Sequence, residues 1–335
     1  MRKTILALTH GRDDCADLVL AELSKMEADF VRFNTETFHT AVQMSLRLGS
    51  NGRFDGAFQF PQRKLPFEEV GVVWNRRVHE PEASNELDRE PDLRDWVLQE
   101  TKWAFNTAIT MFDCPIVNPW EINERMKFNK LIQMKTAAEV GLEVPETLVT
   151  DELDRINEFW GEVKGEVIMK KIRKGLITLS DGRRVLFHTS RIPPEAQTPV
   201  SLQRMRFAPS LLQAHIAKKY DIRSIVVGDR VFSVAIHSQG VPEGVVDYRN
   251  AAMMGRLRDM PHEIIDLGSE MNKKIIEFSR RFSLTFGALD FIETPDGRLI
   301  FLEDNPNGQW AWLEHLTGAP IAKAIAELLQ EHCRT

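Results

Sequence analysis

Two short apolar runs separated by a helical pattern open the chain. Residues 3–9 are mostly apolar, residues 16–26 carry apolar side chains at helical spacing, and residues 30–33 form a second apolar run. A strand-length run, an amphipathic helix and another such run predict a β-α-β unit. The chain is therefore expected to open as a Rossmann-like α/β domain.

Further strand and helix patterns follow this opening. We predict a third strand at residues 70–74, a long helix over residues 93–112 and a second helix over residues 121–140, which Gly141 ends. The first domain is expected to end near Asn118.

The pattern changes beyond Asp151, where short strand-like runs alternate with Asp-Gly turns. Such turns between apolar runs predict hairpins, and they occur at residues 181–182, 228–229 and 296–297. An amphipathic helix is predicted over residues 320–332. The predicted fold class is α/β (α+β), with antiparallel sheets after the Rossmann-like opening.

Composition narrows the class of protein. The 335 residues are 43% hydrophobic and 27% charged, which is enough to bury the cores of two or three domains. No apolar run approaches the roughly 20 residues that span a bilayer, and the N-terminus lacks the pattern of a secretion signal. We therefore expect a cytoplasmic protein that does not enter a membrane.

The cysteines and the net charge exclude further classes of protein. The three cysteines lie far apart without a CxxC pair, so neither a disulfide framework nor a zinc site is predicted. The net charge of -6 argues against sequence-independent binding to nucleic acid. We expect a small molecule or a peptide as the partner.

The hairpin around residues 296–297 carries the most informative polar side chains. If these two residues form a type I′ loop, Asp290 lies directly opposite Glu303 on the paired strand. Asn305 follows Glu303 by two residues and so points to the same face. Like charges on neighbouring strands cost up to roughly 1 kcal/mol, so a cation between them is expected. Oxygen ligands favour magnesium or manganese.

Spacing alone leaves alternatives for this hairpin. The same spacing fits a solvent-facing hairpin with unpaired acids. A slip of one residue in the loop would also separate the two carboxylates. Asp304 projects to the opposite face, where a structural role is favoured over a role as a ligand.

A pair of adjacent lysines lies in another predicted strand, residues 166–172. Lys170 and Lys171 must point to opposite faces, so one of them lies on the buried side. A buried ammonium group requires an anion, and a nucleotide phosphate is the commonest one. Lys130, in the predicted second helix, is a further candidate, although a lone lysine in a helix is usually solvated.

Other polar groups have two interpretations each. Arg173, Lys174, Arg183 and Arg184 flank the turn at residues 181–182, and they fit an exposed hairpin tip as well as a mobile anion-binding lid.

The chain has neither GxxxxGK[ST] nor GxGxxG after the first strand, so side-chain cations and metal would have to hold any phosphate.

Two more groups lie at strand ends. Asp221 and Arg223 begin a strand that continues with apolar residues, and a polar group follows at residues 247–250. Each of these alone is explained by strand-end polarity.

The order of these features resembles the ATP-grasp ligases of the ribosomal protein S6 modification type. The resemblance covers nearly the whole chain and rests on NKLIQMKTAAEVGLEVPET, VIMKKI, LLQAHIAKKYDIRSIVVGD, DYRN, GALDFI and FLEDNPNGQWAWLEHLTGAPIA. More narrowly, VVWNRR at residues 72–77 and NPNGQWAWLE at residues 305–314 are similar to the graspetide (microviridin-like) synthetases, which macrocyclise ribosomally made peptides.

The resemblance implies an ATP-grasp fold in three parts. These are an N-terminal Rossmann-like pre-ATP-grasp domain (residues 1–117), a central subdomain with a lid hairpin built from residues 173–190 (residues 118–212) and a C-terminal subdomain with an antiparallel sheet and the metal site (residues 213–335).

The resemblance also implies the roles of individual residues. The ATP-binding residues would be Lys130 and Lys170 at the phosphates, Gln213, Ala214, His215 and Ile216 at the adenine, Asp221 at the ribose, and Asn305. Arg223, Arg249 and Lys170 would act on the transferring phosphoryl group and the substrate carboxylate, and two Mg²⁺ ions would be held by Asp290, Glu303 and Asn305. Residues 213–216 would form the hinge between the subdomains, and this hinge departs from many relatives, which have an acidic residue after the glutamine.

The implied reaction is an ATP-dependent condensation. The enzyme would activate Asp or Glu side chains of a precursor peptide as acyl phosphates, which a second side chain attacks to close an ester or amide macrocycle. We favour the ester. Glu314 and His315 are candidates for the base.

The implied partner is a ribosomal precursor peptide with a leader and an acidic core. Candidate peptide contacts are Trp74, Arg76, Arg77, Arg183 and Arg184, because arginines suit an acidic peptide. For Trp74 the alternative is a core tryptophan. Relatives imply a homodimer.

Two other functions compete with the macrocyclase. One is an amino-acid ligase that adds residues to a protein tail or a small metabolite, and the other is a nucleotide-binding regulator without catalysis. The intact lysines and metal ligands speak against the regulator, and the motifs WNRR and NGQWAWLE favour the macrocyclase over the amino-acid ligase.

Overall fold

The structure, a computed structural model, describes residues 3–127, 129–163, 166–172, 176–186 and 189–334. The N-terminal part confirms the predicted β-α-β opening. Its elements are β1 (Thr4–Thr9), α1 (Asp14–Lys25), β2 (Phe30–Asn34), β3 (Gln43–Leu48), β4 (Phe54–Gln59), β5 (Lys64–Pro66), β6 (Val70–Asn75), α2 (Pro91–Thr110) and β7 (Ile116–Val117).

Four of these strands form a parallel sheet in the order β2-β1-β6-β7. All six residues of β1 are buried, as expected for a central strand covered on both faces. The side chain of Asp13 caps α1 by accepting a hydrogen bond from the backbone N–H of Cys15. Strands β3, β4 and β5 form a separate antiparallel sheet that the sequence analysis did not predict.

The predicted helix over residues 121–140 is wrong, because two helices occupy this segment. They are α3 (Trp120–Lys127) and α4 (Lys130–Glu139). The side chain of Asn129 accepts a hydrogen bond of 3.2 Å from the backbone N–H of Ile132, which caps α4 and starts a new helix. Lys130 is consequently the first residue of α4 instead of an interior one. The helix ends before Gly141, whose φ is 80°, as expected.

The central part contains a four-stranded sheet and a separate hairpin. The elements are β8 (Thr147–Thr150), α5 (Leu153–Glu162), β9 (Val167–Lys170), β10 (Leu176–Thr178), β11 (Arg184–Leu186), β12 (Ser190–Ile192), α6 (Pro199–Met205) and β13 (Ser210–Ala214). The sheet order is β12-β9-β13-β8, and β10 pairs with β11 around the predicted turn at residues 181–182. Arg173, Lys174 and Gly175, which belong to the predicted lid, lie outside the described residues.

The C-terminal part contains a five-stranded antiparallel sheet in the order β16-β15-β14-β17-β18. The elements are β14 (Tyr220–Val227), β15 (Arg230–Ile236), α7 (Tyr248–Met253), β16 (His262–Ile265), α8 (Ser269–Arg281), β17 (Phe286–Glu293), β18 (Leu299–Asn305), α9 (Ala311–Thr317) and α10 (Ile321–Arg334). The predicted hairpins at residues 228–229 and 296–297 and the closing helix are confirmed.

The hairpin of β17 and β18 has the predicted pairing but not the predicted loop. The backbone N–H of Thr294 donates to the carbonyl of Arg298 at 2.9 Å, so three residues form the loop instead of two. The register then shifts between Asp290 and Phe291, and this irregularity restores the pairing of Asp290 with Glu303. The two departures cancel at the position that matters for the site.

The last helix joins the two ends of the chain. Helix α10 packs on α1, β1 and β6, and one apolar core contains Ile5, Val19, Trp310 and Ile325. Asn118, just after β7, donates to the carbonyls of Phe286 and Pro306 at 2.7 and 2.9 Å. The first sheet and the five-stranded sheet are therefore held together by a shared core and by hydrogen bonds.

The mixed architecture, with a parallel sheet followed by antiparallel sheets, confirms the predicted fold class. Strand β13 crosses the predicted boundary between residues 212 and 213, and the domain limits stay a prediction. Across the described ranges, the helices are too short or too polar to span a bilayer.

Candidate active site

A cleft separates the four-stranded sheet from the five-stranded sheet. It is lined by Ile168, Lys170, Gln213, Ala214, His215, Ile216, Asp221, Tyr248, Arg249, Asp290 and Leu302, among others. An adjoining basic cavity is lined by Lys130, Lys170, Lys171, Arg249 and Glu303, among others. The structure thus brings together most of the side chains that the sequence marked for ATP and metal.

The two predicted metal-binding carboxylates lie on paired strands. Asp290 on β17 is only 4% exposed and pairs with Glu303 on β18. Asn305, two residues beyond Glu303, is exposed, and its Oδ1 accepts a hydrogen bond of 3.1 Å from the backbone of Asn307.

Three cationic side chains surround the two carboxylates. Nη1 of Arg223 donates to Oδ1 of Asp290 at 2.8 Å. Nη1 of Arg249 lies 2.5 Å from Oε1 of Glu303 and 3.6 Å from Oδ2 of Asp290. Lys130 forms a close ion pair with the other oxygen of Glu303. The like-charge repulsion inferred from the sequence is therefore balanced by protein cations in this structure.

A third carboxylate orients Arg249. Nε and Nη2 of Arg249 donate to the two carboxylate oxygens of Asp247 at 2.9 and 3.0 Å, which is a bidentate pair. Burial acts to lower the pKa of Arg249, but the charges of Asp247 and Asp290 and the hydrogen bonds to Asp247 together outweigh it and the pKa is raised. The guanidinium group is therefore always charged and fixed in direction.

The two lysines have depressed pKa values. Burial, followed by the charge of Lys170, lowers the pKa of Lys130 to about 7. Burial, followed by the charge of Arg249, lowers the pKa of Lys170 to about 8. These shifts show that positive charge is crowded in a region of low dielectric constant, which is the setting that favours a bound polyanion.

The donor set fits a hard divalent cation. Oδ2 of Asp290 is buried and has no hydrogen-bond partner, while Oδ1 is bound by Arg223. A carboxylate oxygen without a hydrogen bond, on a strand paired with that of a second carboxylate, matches the preference of Mg²⁺ for oxygen ligands. Within the described ranges, no group of three or more His, Cys, Asp and Glu side chains is placed to hold a metal ion. The predicted ligand set is of a different kind, because it consists of two carboxylates and one amide.

The hinge lies along one wall of the cleft. The side chain of Gln213 is buried and donates to Oγ1 of Thr147 at 2.9 Å, so its amide group is held by the neighbouring strand β8. Nδ1 of His215 lies 2.8 Å from a carboxylate oxygen of Glu166. Burial lowers the pKa of His215, against the opposing charge of Glu166.

Asp221 holds its carboxylate in a network at the other wall. Nζ of Lys218 and Oγ of Ser238 both donate to Oδ2 at 2.6 Å. Burial raises the pKa of Asp221 to about 6, although Lys218 opposes the shift. The sequence analysis missed Lys218. The sequence did contain a signal, because Lys218 and Lys219 are adjacent, as Lys170 and Lys171 are. In the structure the side chain of Lys218 is buried and that of Lys219 is exposed.

Asp304 lies on the opposite face of β18, as expected. It is buried, and its backbone N–H and C=O are both bound by the side chain of Gln133, at 2.8 and 3.0 Å. Burial raises the pKa of its carboxyl group to about 7. Glu314, a candidate base, accepts a hydrogen bond of 2.7 Å from the backbone N–H of Ala322 at the start of α10.

The predicted peptide contacts divide into buried and exposed residues. Trp74 and Arg76 are 3% and 2% exposed, so the prediction that their side chains contact a peptide is wrong for this structure. The core alternative describes Trp74, which belongs to the core that α10 shares with the first sheet. Arg77, Arg183 and Arg184 are exposed.

Comparisons with known proteins agree with this fold. Residues 4–124 match the family model of the MvdD pre-ATP grasp domain. No curated protein sequence matches the chain.

Solved structures cover nearly the whole chain. Macrocyclase MdnC, bound with precursor peptide MdnA from Microcystis aeruginosa MRC, is 27% identical, with a TM-score of 0.82 over 98% of this chain and 99% of that chain. The ATP-grasp ligase of Chryseobacterium gregarium, in complex with ADP and a leader and core peptide, is 24% identical, with a TM-score of 0.89 over 98% and 97%. The ATP-grasp ligase PsnB, complexed with a precursor variant, Mg and ADP, is 16% identical, with a TM-score of 0.74 over 98% of each chain.

The fold and the site therefore define an ATP-grasp ligase, and the protein is an enzyme of this type. Residues 4–124 are similar to the pre-ATP grasp domain of the MvdD type. The predicted similarity to the graspetide synthetases is confirmed by these matches.

Proposed function

We propose that this protein is an ATP-dependent peptide macrocyclase. It activates Asp or Glu side chains of a ribosomal precursor peptide as acyl phosphates with release of ADP, and a second side chain displaces the phosphate to close an ester or amide link. The observation that supports this function best is the similarity to macrocyclase MdnC along 98% of the chain, together with a cleft that presents cations beside paired carboxylates.

The nucleotide site of this proposal combines the cleft and the basic cavity. Lys130 and Lys170 bind the phosphates, the backbone at residues 213–216 binds the adenine, and Asp221 binds the ribose. Two Mg²⁺ ions are held by Asp290, Glu303 and Asn305. When bound, ATP and Mg²⁺ supply the phosphoryl group and the charge neutralisation that turn a carboxylate into an acyl phosphate.

The protein side chains have three tasks in this reaction. Lys170 and Arg249 place positive charge where the phosphoryl group is transferred, and Asp247 keeps Arg249 pointing at that position. Arg223 holds one oxygen of Asp290, so the other oxygen faces the cation. The cleft must exclude water, because an acyl phosphate otherwise hydrolyses.

The peptide partner is proposed to carry a leader and an acidic core. Arg77 and the hairpin arginines Arg183 and Arg184 are the exposed candidates for its acidic side chains. The proposal also includes a homodimer in the cytoplasm and the domain limits at residues 117 and 212.

The test combines the protein, ATP, Mg²⁺ and a precursor peptide encoded beside its gene. Mass spectrometry is expected to show the loss of one water molecule per link, with one ADP released for each. A gain of amino-acid mass would instead support the amino-acid ligase. ATP consumption without either change, or binding of ATP without consumption, would contradict the proposal.

A further inference from the structure

Arg76 is the only charged residue among the largest side chains that the described part of the chain buries completely. It directly follows β6 of the N-terminal sheet. Nε of its guanidinium group lies 3.4 Å from Oδ2 of Asp13, whose side chain is also buried. A buried charge of this kind is retained only when its surroundings satisfy it, so its other contacts indicate what it does.

In the described part of the chain, the hydrogen bonds of the Arg76 side chain all reach one loop of the C-terminal part. Nη1 donates to the carbonyls of Asn307 and Gly308 at 2.9 and 3.3 Å, and Nη2 donates to Oε1 of Gln309 at 3.0 Å. The guanidinium group thus binds three consecutive residues that follow β18. A planar fork with several donors suits this task, whereas an ammonium group cannot reach three acceptors in fixed directions.

The same loop contacts Arg223 from its other side. The carbonyl of Gln309 accepts a hydrogen bond of 3.3 Å from Nη2 of Arg223. At Gly308 the packing leaves no room for a side chain, because a Cβ there would lie 2.4 Å from Nη2 of Arg223. Arg223 in turn donates to Asp290 at 2.8 Å.

We propose that Arg76 is a positioning residue for the metal centre, acting through residues 307–309 and Arg223 on Asp290. The inference rests on the metal site of the proposed function, but it does not require a peptide substrate. Side chains that orient the ligands of a metal change its affinity by about 10-fold to 100-fold when they are replaced. Arg76 would therefore connect the N-terminal domain to the chemistry of the C-terminal sheet.

The competing interpretation is that Arg76 only docks the two parts of the chain. In that case its replacement lowers stability, and metal affinity follows only to the extent that the protein unfolds. The two interpretations differ in the affinity for the cation measured on folded protein.

The experiment measures Mn²⁺ binding to the complex of the protein with ADP, by electron paramagnetic resonance and calorimetry. The variants are Arg76→Lys, which keeps the ion pair with Asp13, and Gln309→Leu, which removes one acceptor and leaves Arg76 in place. The control is Phe58→Leu, in the separate apolar core of the first domain.

For Arg76→Lys we expect Mn²⁺ binding to be weaker by up to about tenfold, with the affinity for metal-free ADP unchanged, because Arg76 acts on Asp290 through Arg223. For Gln309→Leu we expect a smaller change in the same direction. Phe58→Leu should lower the melting temperature without changing the Mn²⁺ affinity.

Unchanged Mn²⁺ affinity in Gln309→Leu and in folded Arg76→Lys would overturn the inference, and so would an equal loss in Phe58→Leu. If Arg76→Lys does not fold, the Mn²⁺ affinity of Gln309→Leu alone decides between the two interpretations. Wild-type protein that binds Mn²⁺ and ADP but does not cyclise its peptide would refute the proposed function and leave this inference standing.

Discussion

Arg223 and Asp290 are direct cross-strand partners in the five-stranded sheet, and Nη1 of Arg223 donates a hydrogen bond of 2.8 Å to Oδ1 of Asp290. The pair is buried, and the second oxygen of Asp290 has no hydrogen-bond partner. One oxygen is thus used for orientation, and the other is available to a cation. This division of roles explains how a carboxylate can be fixed in place before a metal binds.

Replacement of Glu303 tests the proposed metal site. Glu303→Gln keeps the volume of the side chain but removes the charge that a divalent cation needs. We expect product formation and ADP release to fall by at least about 100-fold, with the fold retained. Mass spectrometry of the peptide gives the rate, and circular dichroism checks the fold.

The matched control is Glu293→Gln on the preceding strand of the same hairpin. Glu293 binds Lys219 and Tyr220 and does not line the cleft or the basic cavity. Its variant should keep nearly full activity. Equal losses in both variants would mean that the hairpin is merely destabilised.

The pKa of Lys170, lowered to about 8, predicts a pH dependence of nucleotide binding. Below pH 8 the side chain is charged and attracts phosphate, and above pH 8 it becomes neutral. The affinity for ADP without metal should therefore fall between pH 7.5 and 9.5, by up to about tenfold per pH unit. Calorimetry in the presence of a chelator measures the affinity for ADP at each pH.

Lys170→Arg provides the comparison, because a guanidinium group stays charged throughout this range. Its affinity for ADP should fall less steeply with pH than that of the wild-type protein, because only Lys130, with a pKa of about 7, then loses its charge. A flat profile in the wild-type protein would show that Lys170 does not contact the phosphates.

Asp221 is predicted to bind the ribose hydroxyls. In Asp221→Asn the charged acceptor is lost, so ATP affinity should fall by about tenfold. The wild-type protein should also prefer ATP over 2′-deoxy-ATP, and the variant should lose most of this preference. If the variant weakens both nucleotides equally, Asp221 acts on the cleft and not on the ribose.

Gly308 is predicted to tolerate no side chain. A Cβ at this position would lie 2.4 Å from both Cβ of Ala288 and Nη2 of Arg223, so Gly308→Ala should lower the free energy of unfolding by about 1–3 kcal/mol. Denaturant unfolding measures the change.

Gly161→Ala is the control for this substitution. Gly161 lies in α5, and nothing is within 4 Å of a Cβ built there. The variant should be as stable as the wild-type protein or up to about 1 kcal/mol more stable. A Gly308→Ala protein of unchanged stability would mean that the loop is free to move.

The hairpin of β17 and β18 shows how far pattern reasoning extends. Alternation and an Asp-Gly turn predicted two paired carboxylates, and Asp290 does pair with Glu303. The loop has a different length, and an irregularity in the ladder corrects for it. A bulge depends on packing between strands, so local sequence does not reveal it.

The prediction of one helix over residues 121–140 was wrong for a local reason that could have been recognised in the sequence. Asn129 is a good N-cap, and it interrupts an otherwise continuous helical pattern. The interruption places Lys130 at the start of α4, next to Glu303.

The sequence by itself determined the β-α-β opening, the carboxylate pair and the presence of a lysine with a desolvated ammonium group at residues 170–171, because each depends on periodicity or on the cost of an unpaired charge between neighbours. Only the tertiary structure decided that Arg76 is an interior residue that binds the loop after β18 instead of a surface contact for a peptide. The physical reason is that the contacts of Arg76 join residues more than 200 positions apart in the chain, and no local pattern encodes which distant acceptors a buried guanidinium group will meet.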